Sequence, residues 1–156
     1  MTEDARFEDA RDAPLNLGAL NAEDLKIISA LVQDAVFPAS EMTWRARERR
    51  FALLLNRFRW EDAGRDRHGP ERVQSVLFFE NVLKVASQGV PRGDADTVLS
   101  LLAIDWQPAE APGGIVELQL AGDGAIRLDV EALEVGLRDV TRPYRAPSGK
   151  VPAHDD

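Results

Sequence analysis

Between Trp44 and Arg59 the chain carries Arg45, Arg47, Arg49, Arg50, Asn56, Arg57 and Arg59 against Glu48 alone among acids. Guanidinium groups are planar forks that bond a carboxylate or a phosphate in two places, and Trp44 sets an aromatic face beside them. Such parts can bind single-stranded nucleic acid, with bases stacked on the ring. No Lys accompanies these arginines, however, and the 156-residue chain has a formal net charge of −8, which disfavours general affinity for nucleic acid or an anionic membrane. The expected use of Trp44, Arg45, Arg47, Arg49, Arg50, Asn56, Arg57 and Arg59 is therefore ion pairing, inside the chain or across a protein interface.

A second candidate is acidic. Residues 94 to 134 hold nine carboxylates against Arg127 alone, the opposite charge balance to the arginine segment. Alternation within 115–130 predicts a hairpin pairing 120 with 126 and 118 with 128, which sets Glu117 opposite Asp129 with Glu131 one pair beyond. Opposed like charges are unfavourable, so Glu117, Asp129 and Glu131 are weak candidates for a divalent-cation site. A carboxylate-dependent hydrolase could use them with Arg45, Arg47 and Arg57 on an anionic substrate. The plainer reading is that arginines elsewhere neutralise them. No third oxygen ligand and no water-activating partner can be named, so no catalytic residue is assigned.

The rest of the inventory is poor in reactive groups. There is no cysteine, and His68 and His154 sit in polar surroundings with proline nearby, as solvated residues do. P-loop, G-x-G-x-x-G and G-x-S-x-G sequences are absent, and Gly122-Asp123-Gly124 reads as a hairpin turn. No cofactor is expected. The N-terminus lacks the basic and apolar regions of a signal peptide and no long uncharged apolar run occurs, so a cytoplasmic protein without a membrane segment is expected.

The positioning elements follow from period. Leu15 to Leu20 reads as a short strand, and Asn21 as an N-cap with Glu23 and Asp24 in the first helical turn. Leu25, Ile28, Leu31, Val32 and Ala35 recur at helical spacing up to Pro38. Met42 to Arg47 alternates apolar with basic, and the unbroken Phe51 to Phe58 fits a central strand covered on both faces. Residues 61–71 read as a loop, 72–85 as one strand or two, and 115–130 as the hairpin. The segment 94–105 loosely echoes 21–34, which predicts that it opens with a helical turn and ends as a strand.

The expected fold is α+β, mostly antiparallel, with two or three short helices and two pseudo-repeated units of about 14–81 and 82–141 in one globular domain. Tails of 1–13 and 142–156 flank it. Two stretches, Ser29-Ala-Leu-Val-Gln-Asp-Ala-Val36 and Glu48-Arg-Arg-Phe-Ala-Leu-Leu-Leu-Asn-Arg-Phe58, together with Leu99 to Ile104 and Gly124 to Glu131, carry a resemblance. Over residues 15–140 the chain resembles a bacterial, alphaproteobacterial-type family, the domain of unknown function numbered 2948. The resemblance implies no activity, cofactor or catalytic residue. The functional expectation is a non-catalytic binding or assembly module, meeting a protein partner or a second copy through oppositely charged faces. A small-molecule-binding protein or hydrolase is the alternative, and weak nucleic-acid binding the third.

Overall fold

The computed structural model describes residues 14–58, 71–90, 96–140 and 144–145. In chain order the elements are β1 (Asn16–Ala19), α1 (Ala22–Leu31), β2 (Val36–Pro38), β3 (Met42–Arg45), β4 (Arg50–Phe58), β5 (Glu71–Phe79), β6 (Val82–Gln88), β7 (Val98–Pro108), β8 (Gly114–Leu120), β9 (Ala125–Val130), β10 (Val135–Asp139) and β11 (Tyr144–Arg145). Single 3-10 turns occupy Ala39–Glu41 and Ala46–Glu48. The fold is a mostly antiparallel sheet structure with one α-helix among the described residues.

Asn21 caps α1 as its position predicts: its Oδ1 accepts from the Asp24 N–H at 2.8 Å. The helix is shorter than its apolar spacing suggests. It stops at Leu31, and Val32 and Ala35 continue the buried row from the turn that follows, where Asp34 takes φ +65.

Strands run in the order β1-β10-β5-β4-β2-β7-β8-β9-β6, with β3 beside β4 and β11 beside β5. Every pairing is antiparallel. Short β2 joins two wings, since Val36 pairs with Asn56 of β4 on one side and Ser100 of β7 on the other. Both wings turn an apolar face into one core: Phe51, Leu53, Leu55, Leu77 and Phe79 from the first, Leu101, Ile104, Val116, Leu118 and Leu128 from the second, with Leu25 and Ile28 of α1. Each such side chain contributes about 1.5–3 kcal/mol relative to exposure.

Three expectations are corrected. Segment 98–108 is a strand from its start, so among the described residues α1 has no helical counterpart there and the two-unit repeat is not shown; Asp94, the expected cap, lies outside the described residues. The segment lacks a helical period, and as a strand it pairs with β2 and β8 at once. Next, β4 is fully buried only at Phe51, Leu53, Leu55 and Arg57; the alternate residues Ala52, Leu54, Asn56 and Phe58 are half-buried. Finally, the hairpin pairs 118 with 126 and 116 with 128, two residues along β8 from the expected register. Its three-residue loop is 121–123, in which Gly122 and Asp123 take the left-handed region at φ +82 and +71. A Cβ on Gly124 would lie 3.2 Å from the Gly89 carbonyl oxygen. Both registers keep Val116, Leu118, Leu120, Ile126, Leu128 and Val130 on the buried face.

The 72–85 segment forms two strands, broken at Asn81, which takes φ +60. Within the expected C-terminal tail, Tyr144–Arg145 is strand β11. The 1–13 tail, the rest of the C-terminal one, the loop at 61–70 and the candidate residue Arg59 lie outside the described residues. No described helix is long and apolar enough to cross a membrane.

Candidate functional site

On the half-buried face of β4, side chains of four strands line up in register. Thr43 of β3, Ala52 of β4, Phe78 of β5 and Gly136 of β10 form one cross-strand row. Gly136 is required there: a Cβ would sit 2.1 Å from Phe78 Cζ, so the phenyl ring lies across the bare β10 backbone. Rows on either side supply charge. Arg45 pairs directly with Arg50, and Arg138 with Val76.

These residues enclose a cleft of about 340 Å³ lined by Thr43, Arg45, Arg50, Ala52, Val76, Phe78 and Arg138. The guanidinium carbons of Arg50 and Arg138 stand 6.0 and 5.7 Å from the Phe78 ring centre. Opposed arginines repel, and carboxylates answer unevenly. Glu80 accepts from Arg50 Nε at 3.0 Å and lies 2.9 Å from its Nη2, and this hydrogen bond, reinforced by the carboxylate charge, raises the Arg50 pKa. Arg45 reaches Glu48 only at 3.7 Å and on an exposed surface. Arg138 is exposed and ion-pairs with no described residue. The cleft thus pairs an aromatic floor with positive charge that the described residues only partly neutralise.

Residues 15–154 match the family described as Protein of unknown function (DUF2948). The chain belongs to that family. No curated protein and no solved structure matches it.

The geometry sorts the sequence candidates. Arg45 and Arg50 line the cleft. Trp44 is cross-paired with Phe51, on the opposite side of its strand from Arg45, and is 37% exposed. Arg47 is exposed and makes no ion pair with a described residue. Arg49, held at φ +56, bonds Glu131 Oε1 at 2.7 Å and so ties the arginine turn to the segment after β9. Asn56 is half-buried between β2 and β5.

Arg57 has gone furthest from a surface role. It is wholly buried, with Nη2 at 3.1 and 3.2 Å from the two Asp139 carboxylate oxygens. Ser75 Oγ donates to Asp139 Oδ1 at 2.6 Å and accepts from Arg57 Nε at 3.1 Å. Asp139 Oδ2 also accepts from the Leu15 N–H at 2.8 Å. This network fastens three strands and the entry to β1.

The acidic candidates do not assemble. With the register two residues from expectation, Glu117 faces Arg127 across the hairpin and Asp105 across β7, and Asp129 faces Ile115. Gln107 Nε2 donates to Glu117 at 3.1 Å, Lys84 lies 3.9 Å from Asp129, and Glu131 is engaged by Arg49. Among the described residues no group of three or more His, Cys, Asp or Glu is placed to hold a metal ion.

Sequence reasoning missed Phe78, Gly136 and Arg138. Two signals were present. In Leu77-Phe78-Phe79 strand alternation must turn one phenyl outward, and a glycine inside the apolar Val135-Gly136-Leu137 run marks a close approach.

Proposed function

We propose that this protein is a non-catalytic binding module that receives an acidic partner surface on the face formed by Arg45, Arg50 and Arg138. One observation carries the reading: three guanidiniums line one open cleft, and among the described residues only Arg50 has a carboxylate within 3 Å. On a chain of net charge −8 this is a local positive spot, suited to steering a carboxylate-bearing surface into register. The partner is another protein or the carboxylate-bearing outer face of a second copy, where Asp105, Glu117 and Asp129 lie. A cytoplasmic location belongs to the same reading.

Fluorescence anisotropy with labelled poly-L-glutamate tests it. Binding should be clear at about 0.05 M salt, weaken at about 0.15 M as exposed charges are screened, and disappear in an Arg45→Gln/Arg138→Gln variant that keeps its fold. Absence of binding at the lower salt, or equal binding by the variant, would overturn the reading. Light scattering across concentration separates a second copy from a foreign partner.

A further inference from the structure

We infer that the partner presents to this cleft an acidic peptide segment carrying an aromatic residue, whose ring lies on Phe78 while its carboxylates meet Arg45 and Arg138. The inference rests on the binding reading above and specifies the partner's chemistry. One face of the Phe78 ring is taken by the β10 backbone, since a Cβ at Gly136 would fall 2.1 Å from Cζ. The ring also lines the cleft, so the face turned away from Gly136 is the one offered to a ligand. Arg50 and Arg138 stand within about 6 Å of its centre. A second ring placed there gains an aromatic contact and the attraction of both guanidiniums for its π face, whereas an aliphatic side chain gains neither.

Size and shape favour a side chain over a free small molecule. A volume of about 340 Å³ is at the lower end for small-molecule pockets, which bury most of their ligand's surface. This cleft instead lies on a sheet face with its arginines exposed. A free molecule would leave much of its surface in water there, while a side chain is covered by the peptide that carries it. The charges are disposed to match. Glu80 occupies the Arg50 fork, which leaves Arg45 and Arg138 to meet carboxylates flanking the ring.

Calorimetry on the full chain at about 0.15 M salt, with the peptides Glu-Glu-Phe-Glu-Glu and Glu-Glu-Leu-Glu-Glu, tests this. The phenylalanine peptide should bind about 5-fold tighter. Phe78→Leu should shrink that difference, and Arg138→Gln should weaken both peptides, the phenylalanine one more. Equal affinities for the wild-type chain would overturn the aromatic inference and leave the acidic-partner reading standing. Binding of neither peptide, together with no binding of poly-L-glutamate at low salt, would overturn both. Phenylacetate binding as tightly as the phenylalanine peptide would overturn the inference in favour of a small ligand. The two-peptide comparison uses the wild-type chain, so it decides even where Phe78→Leu fails to fold.

Discussion

Arg57 and Asp139, 82 residues apart in the chain, meet with both side chains at 0% exposure and two guanidinium contacts of 3.1 and 3.2 Å. Removing one partner strands the other as a charge in the core. Asp139→Ala should therefore cost about 3–5 kcal/mol and lower the melting temperature by roughly 10 °C. An Arg57→Met/Asp139→Leu double variant should recover most of the loss, because neither charge is then left behind. Urea unfolding of the wild type, single and double variants checks the order.

Gly136 and Phe78 make a second coupled pair. Gly136→Ala forces the phenyl ring off the β10 backbone, with an expected cost of about 1–3 kcal/mol. In a Phe78→Ala background the same change should cost much less. A double-mutant cycle that returned simple additivity would show that the ring is not what excludes the methyl group.

Arg45, Arg47 and Arg49 are exposed, and the Arg45–Glu48 and Arg49–Glu131 pairs lie at the surface. Exposed pairs contribute about 0–1 kcal/mol each, so the triple Arg→Gln variant should stay folded with a modest drop in melting temperature. Circular dichroism and a thermal scan report both quantities. Raising salt should narrow the gap between variant and wild type.

Glu117, Asp129 and Glu131 each face a different neighbour and do not converge. Millimolar Mg²⁺, Mn²⁺ or Ca²⁺ should leave the melting temperature unchanged. A reproducible rise would mean that these carboxylates gather around a cation, since a ligand bound only to the folded state stabilises it.

Strand alternation made much of the fold legible, and the same alternation explains what was misread. Phe51, Leu53, Leu55 and Arg57 share a face by period alone, so the phase of β4 already assigns Arg57 to the core; its charge argued the other way. What resolves the conflict is Asp139, brought alongside by β10 through a pairing that no local pattern encodes. In the hairpin, parity was readable because six apolar residues must share one side. The choice between two registers of equal parity is not encoded by alternation, since both bury the same side chains. The cleft was illegible for the same reason: Arg138 reaches Phe78 only because β10 lies beside β5. The strand expected at the end of 94–105 is there and begins already at Val98; apolar content alone, without a period, could not say where it starts.

The position of β10 between β1 and β5 has a consequence for how the chain folds. The Leu15 N–H reaches Asp139 across 124 residues, so the first wing is completed only when almost the whole described domain has been made. Contacts of such separation raise contact order and delay the reward for closing the loop, which puts folding in the slow millisecond-to-second range of sheet proteins. Until β10 docks, β5 has an open edge there and Arg57 lacks its carboxylate. A chain ended before Val135 would keep most of its apolar residues yet lose the strand that carries Asp139, so the protein has little room for stable fragments and folds as a whole or not at all.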